Sequence, residues 1–548
     1  MTINYSAGHI GPKEPATGQH AVCSSQHPIA TDTMLEVMRS GGNAVDAGIA
    51  GSLVQATIQQ EITNHAGTIS FLYWEAATGK VHELKSMGTI VPGLPPFRPV
   101  PPGKGWLTTE LPPPCAVIPG FMPGLKALYN RFATRPWAEL CQPAIRLAED
   151  GYEVGSLEHL ATVKMVDLYL YTASGREHFQ PDGYLPQVGD RWQKPELAKT
   201  LRRLADEGPD YFITGEWGQR FVQRANQLGW PIELKHMEAI PPRWGEGLRY
   251  RHRGHEIVQL SPPETAGVYC ALVLGVLDKL GVTSLGHYTE SAEALYYVAH
   301  ALRRADKEIG FINDPEIFAN PTETLLAPEF HGYLADILRH SKPKIDLTEH
   351  LSVTAGHAAL AGARTQPPSG SCELSIVDQD GNWVQMLNTL QSGGIPGEVV
   401  DGVPMTGSSA ETSMDWVFNA WFTGGGRMRS IIGHALVLDD GEPAWSLGSV
   451  GFPHWFVSQV LLNGLSYGMD PYQAEDAPRM LPLTDDYKLP IESRLSPTVV
   501  ADLAKLGVLV DPLHKYEWAS GSQMSWRDKD GSLHSTASPR NAGSAAGF

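Results

Sequence analysis

The sequence lacks the marks of several common protein classes. It has only five cysteines, Cys23, Cys115, Cys141, Cys270 and Cys372. Their number is odd, their spacing is wide and none forms a CxxC pair, which argues against a disulfide framework or a zinc knuckle. No apolar run reaches the roughly 18 residues that span a bilayer. The opening stretch MTINYSAGHIGPKEPATG has neither a basic n-region nor an apolar h-region, so no secretory signal is expected. Positive charge is also scarce. Lys and Arg number 42 against 60 Asp and Glu, a formal net charge of −18. Such a surface repels phosphate backbones and anionic lipid, so neither nucleic acid nor a membrane is an expected partner. No GxxxxGK[ST] loop occurs, and HEIV at 255–258 lacks the second histidine of a zinc-binding helix. The run GGG at 424–426 has no phosphate-binding helix pattern after it, and the 20 histidines show no ligand spacing. The expectation is a soluble, cytoplasmic chain with no cofactor and no metal, acting on a small molecule.

What is present is the material of a large core. Hydrophobic residues make up 42% and charged residues 19%, which rules out global disorder. The stretch ATDTMLEVMRSGGNAVDAGIAGSLVQAT holds two apolar patterns at helical spacing, Met34–Leu35–Met38 and Val45–Ile49–Leu53. Gly41 and Gly42 should end the first helix and Asn43 should cap the second. ISFLYWEAATGKVHEL reads as a hairpin that turns at ATGK. The proline-dense stretch 91–114 reads as loop. Helical patterns follow at 121–133, 136–151, 196–206, 265–280 and 290–309. After TQPPSGS, a proline-glycine linker, CELSIVDQDGNWVQMLNTL reads as a second hairpin around DQDGN. An apolar strand begins at 431 and a helix spans 455–467. Helices flanking many strands imply a layered α+β architecture.

Two places could carry chemistry. The junction Gly370–Ser371 sits where a linker meets a strand. A hydroxyl nucleophile needs a base, and a residue at a chain terminus brings its own. Its α-amine titrates near pH 8, whereas the same nitrogen in an intact chain is an amide and accepts no proton. A cut before Ser371 would free the nucleophile and create its base together. The second place is SLGSVGFP at 446–453, a glycine-rich turn between strand and helix. Such a turn can aim the N–H groups of Gly451 and Phe452 at an oxyanion.

Taken together, a series of blocks resembles the gamma-glutamyltranspeptidase family along nearly the whole chain. They are SSQHPIATDTMLEVMRSGGNAVDAGIA (24–50), AVIPGFMPGLKALYNRF (116–132), ELCQPAIRLAEDGYEV (139–154), SPPETAGVYCALVLGVLD (261–278) and EALYYVAHALRRAD with INDPEIF (293–318). LSIVDQDGNWV (374–384), GSVG (448–451), AEDAPRM (474–480), SPTVVADLAKLG (496–507) and DGSLHSTASPR (530–540) follow in order. The resemblance implies a four-layer αββα N-terminal-nucleophile (Ntn) hydrolase sandwich. It also implies self-cleavage into a large portion, residues 1–370, and a small portion, residues 371–548, which stay together as a heterodimer. The family's nucleophile is a Thr opening a Thr-Thr-His-x-Ser-Val-Val-Asp block. Ungapped counting from Ser375 and Asp378 puts that position on Ser371. Cys372 is the rival, one residue out of register. Alternation along a strand points the two side chains to opposite faces, so only one can serve. Thr389 falls on the family's Thr near the nucleophile's amine, and Gln391 on the Asn two residues beyond it.

The substrate pocket departs from the family pattern. The Arg that grips the glutamyl carboxylate falls near Met87. The glycine-rich block is NHAGTISF, keeping only Gly67. The acid for the glutamyl amine falls near Glu411 or Thr412, the paired serines are Ser430–Ile431, and the second oxyanion glycine is Phe452. Arg429, beside Ser430, could grip a carboxylate from another wall. The reading is an amide hydrolase acting through an acyl-enzyme at Ser371, on an acyl group other than plain gamma-glutamyl. A true gamma-glutamyltransferase or glutathione hydrolase with other anchors is the second reading. An uncleaved relative with a binding or structural role is the third.

Overall fold

The computed structural model describes residues 3–6, 8–90, 118–164, 166–170, 172–340, 371–390, 397–405, 425–517 and 521–548. The proline-dense stretch 91–114, the linker up to Gly370, and Gln391, Glu411 and Thr412 fall outside them.

Two sheets face each other. The first runs, in spatial order, Asn4–Ser6, Ser544–Gly547, Val22–Ser25, Cys372–Val377, Trp383–Thr389, Thr68–Glu75, Lys80–Ser86 and Arg243–Gly245. The second runs Leu248–His252, His255–Gln259, Ala435–Asp439, Glu442–Val450, Gly521–Arg527, Leu533–Ala537 and Ala16–Gly18. An apolar layer between them draws Leu72, Trp74, Trp383 and Leu387 from the first sheet and Val258, Leu436 and Leu438 from the second. Helices including Pro28–Arg39, Ala44–Ile58 and Phe121–Phe132 cover the outer face of the first sheet. Ala266–Leu280, Ala292–Glu308 and Pro453–Leu461 cover the second. The result is the expected four-layer αββα sandwich. Because both faces of each sheet are covered, the central strands are buried end to end, including polar positions such as Glu373, Ser375, Gln385 and Asn388.

Local chemistry explains most boundaries. Gly41, at φ +92°, follows the first helix, and Asn43 caps the second in a reciprocal box with Asp46. The second helix is not amphipathic, as its apolar spacing had implied; all of it is buried. Its glycines permit this, since a Cβ on Gly51 would come within 2.8 Å of Met34. The hairpins Thr68–Glu75/Lys80–Ser86 and Cys372–Val377/Trp383–Thr389 form where expected. Asp378 closes the turn of the second hairpin, accepting from the Asp380 and Asn382 amides, and reaches the Ala44 amide at 2.8 Å. The apolar stretch from 431 differs from expectation. It is a hairpin, Ala435–Asp439 and Glu442–Val450, and Asp440 and Gly441 take the positive φ of a tight two-residue turn. The next helix, Pro453–Leu461, continues into a π turn at Leu462–Ser466.

Candidate active site

The strand Cys372–Val377 sits mid-sheet, between Val22–Ser25 and Trp383–Thr389. Its side chains sort by parity. Leu374 and Ile376 meet the helix Ala44–Ile58, where they neighbour Gly51 and Gly48. Cys372 belongs to that face. It is fully buried beside Ile62 and Ala161, with Sγ 3.4 Å from Gln59 Oε1. Burial, with Glu61 and Glu373 nearby, pushes its thiol well above the usual range. A thiol held protonated is a poor nucleophile. Glu373 and Ser375 point the other way, into the space between the sheets. There Ser375 Oγ lies 2.8 Å from Ser525 and 3.3 Å from Ser446 of the second sheet. Ser371, 8% exposed, shares their parity.

Register fixes what lies around Ser371. The ladder pairs Cys372 with Asn388 and Glu373 with Leu387, so one further step sets Ser371 opposite Thr389. Thr389 pairs in turn with Thr68, and one step beyond the Ile69–Ser86 pair Thr68 faces Met87. A single row therefore crosses four strands, Ser371–Thr389–Thr68–Met87, spanning about 14 Å at three strand spacings. The next row inward is Glu373–Leu387–Ser70–Lys85. His434, fully buried, bridges that row, with Nδ1 3.0 Å from Glu373 and Nε2 2.8 Å from Ser70 Oγ. Burial raises the Glu373 carboxyl to about 7, and His434 opposes the rise.

The second sheet places the glycine-rich turn over this row. Ser446 touches Ser375, and a Cβ on Gly448 would lie 1.9 Å from Glu373 Oε1. The same progression, continued two residues on, leads toward Val450 and Gly451 at the Ser371 end of the strand. Gly451 adopts φ +82°, open mainly to glycine, and Phe452 precedes the helix Pro453–Leu461. Neither amide donates a hydrogen bond among the described residues. Amides that donate to no described residue can be offered to an oxyanion.

Ser430 lies against the loop before the helix Ala266–Leu280. Its carbonyl accepts from Thr265 N at 2.8 Å and Oγ1 at 3.2 Å, and its backbone bridges Glu264. Arg429 does a different job from the one its position suggested. Its guanidinium donates to the Ile309 carbonyl at 2.8 Å and the Gly310 carbonyl at 3.5 Å, beyond the end of the helix Ala292–Glu308. That commitment ties it to the carbonyls of the turn after the helix, one of which also accepts from the Ile312 amide, rather than leaving it to grip a substrate carboxylate. Four groups escaped the sequence reading: Glu264, Glu373, His434 and Gly448. Three lie far apart in sequence from what they touch. Two carried a signal: Glu264, an acid directly behind Pro262–Pro263, and Gly448, the first glycine of GSVG, both within blocks already singled out.

Two mutually facing sheets between two helix layers are the fold of the Ntn hydrolases. The chain belongs, more narrowly, to the gamma-glutamyltranspeptidase family, whose model matches residues 30–548, and it is an enzyme of that family. A glutathione hydrolase-like proenzyme (YwrD) of Bacillus subtilis is 24% identical over 97% of this chain and 99% of its own. The oxamate amidohydrolase proenzyme of Klebsiella pneumoniae is 25% identical over 96% and 98%. The cephalosporin acylase structure from Bacillus halodurans superposes with a TM-score of 0.80 at 21% identity, covering 98% of this chain and 97% of that one.

Proposed function

We propose that the chain is a self-processing amide hydrolase, cut before Ser371, whose new N-terminal serine forms an acyl-enzyme that water releases. The freed α-amine takes the Ser371 hydroxyl proton as the oxygen attacks the amide carbonyl. The tetrahedral oxyanion sits under the Gly451 and Phe452 amides. Collapse expels the leaving amine with the proton held by the α-amine. Water then repeats the sequence on the ester and regenerates Ser371. Thr389, opposite Ser371 in the register, orients the amine. The observation that carries this reading is the convergence of the Ser371–Thr389 row with two undonated amides from the facing sheet.

The proenzyme names of the relatives support maturation into two fragments, 1–370 and 371–548, held together by a sheet that interleaves strands from both. The names of these relatives, glutathione hydrolase-like and oxamate amidohydrolase, support small amides as substrates. A gamma-glutamyl substrate fits less well, because Met87 stands where the resemblance calls for a carboxylate-gripping arginine. A cytoplasmic location is part of the proposal, supported by the free thiols of Cys23, Cys141, Cys270 and Cys372; cell fractionation checks it.

Gel electrophoresis with N-terminal sequencing tests the core of the proposal. Two fragments are expected, the smaller starting at Ser371, and Ser371→Ala should leave one chain while Cys372→Ala is still cut. A small fragment starting at Cys372, or normal cleavage in Ser371→Ala, removes Ser371 from the role. A wild type that stays whole and hydrolyses nothing favours the binding or structural alternative.

A further inference from the structure

Three cations stand near the far end of the Ser371 row, and all are engaged. Lys85 donates to Ser261 Oγ and the Pro262 carbonyl, both at 2.6 Å, and lies 3.3 Å from Glu83. Arg427 pairs with Glu316 at 2.6 Å and lies 3.7 Å from Asp314. Arg429 is held by the Ile309 and Gly310 carbonyls. The anions beside them are engaged too. Glu83 accepts from the Ser261 amide and hydroxyl, and Asp314 accepts from the Arg427 and Glu316 amides.

Arg427 and Arg429 each leave Nε unpaired but keep other contacts, whereas Glu264 has no side-chain hydrogen bond to another described residue. Glu264 is fully buried, and neither carboxyl oxygen has a hydrogen-bond partner among the described residues beyond its own amide. It is pinned in the candidate site by its backbone. It bridges Ser430, and the segment running from Ser430 to His434 ends on Glu373, two residues from Ser371. A buried carboxyl without a partner is costly to leave so. Leaving it unmatched makes sense if a guest supplies the match.

We propose that Glu264 is the specificity-determining anchor of the acyl pocket and binds an ammonium or similar cationic donor on the acyl side of the substrate. The inference rests on Ser371 as nucleophile and names the substrate class for that site. The pocket is then inverted in charge: Met87 replaces a cation and Glu264 adds an anion. An acyl group ending in a carboxylate meets like charge and is rejected. Burial raises the empty Glu264 carboxyl to about 7, with Glu83 and Asp314 adding to the rise and Lys85 opposing it. A bound ammonium holds it ionised, and the charge-assisted contact is the strong kind.

The test uses p-nitroanilides of matched length: aminovaleryl, hexanoyl and glutaryl. The mature wild type should show its highest kcat/KM on the aminovaleryl compound and its lowest on the glutaryl. Glu264→Gln should cut the aminovaleryl-to-hexanoyl ratio by about tenfold, and Glu264→Asp should restore part of it. A general structural defect lowers all three together and leaves the ratio alone. An unchanged ratio in cleaved, folded Glu264→Gln overturns the inference. If the wild type turns over none of the three, the hydrolase reading fails separately. Calorimetry with aminovaleramide then decides Glu264 alone: tighter binding to wild type than to Glu264→Gln supports the anchor, and equal binding sinks it.

Discussion

A single methyl group added at Gly448 tests how the two sheets hold the nucleophile. An ideal Cβ there lies 1.9 Å from Glu373 Oε1 and 2.3 Å from its carboxyl carbon. Carbon and oxygen in weak contact rest about 3.3 Å apart, so Glu373 must withdraw by about 1.4 Å. It has no free direction, being fully buried with Oε1 3.0 Å from His434 Nδ1. Forced overpacking of a tight interior costs about 1–3 kcal/mol, and losing the contact to His434 adds about 1 kcal/mol. Gly448→Ala should therefore lose about 2–4 kcal/mol in guanidinium unfolding. Glu373 is two residues from Ser371 on the same face, so the strain reaches the proposed nucleophile. A displacement near 1 Å can cost about 10² in rate, and kcat should fall accordingly. Glu373→Ala alone leaves a space and an unmatched His434. The double variant Gly448→Ala/Glu373→Ala removes the collision, so it should be more stable than the sum of the single losses by at least about 1 kcal/mol. Additivity within about 0.5 kcal/mol, or a Gly448→Ala protein as stable as wild type, refutes the argument that these two positions share one space.

Two further outcomes follow from the same geometry. Phe452→Ala keeps its amide and should hold kcat within a few fold, whereas Gly451→Pro removes a donor and cannot adopt φ +82°, so a folded variant should lose about 10²–10³ in kcat; equal kcat in both variants counts against the oxyanion assignment. The Glu264 carboxyl, raised to about 7 by burial, favours folding below the unfolded carboxyl's pKa near 4.3 and loses that contribution as pH rises through about 7. Glu264→Gln has no such titration, so its stability advantage over wild type should widen from pH 5 to pH 8 by up to about 3 kcal/mol; a constant gap across that range shows that Glu264 is not buried as a titrating acid.

The sequence by itself determined the local structure and the family. Glycine and asparagine at 41–43 ended one helix and capped the next because those residues alone combine positive φ with side-chain capping. DQDGN closed a hairpin for similar local reasons, and the strand before it supplied the parity that separates Ser371 from Cys372. Ungapped motif order then carried the candidate positions Ser371 and Thr389, which the register continued by one step sets opposite each other. Only the tertiary structure decided the rest. Periodicity could not distinguish the buried helix Ala44–Ile58 from a half-exposed one, because what covers its second face comes from helices and strands remote in sequence. It could not say that Arg429 is spent on Ile309, some 120 residues earlier, or that His434 ties Glu373 to Ser70. Nor could it show that Glu264 has no partner among the described residues, since being unpaired depends on groups brought near it by folding. Pattern along a chain reports on neighbours within a turn or a pleat; charge balance in a pocket is a sum over elements that only folding brings together.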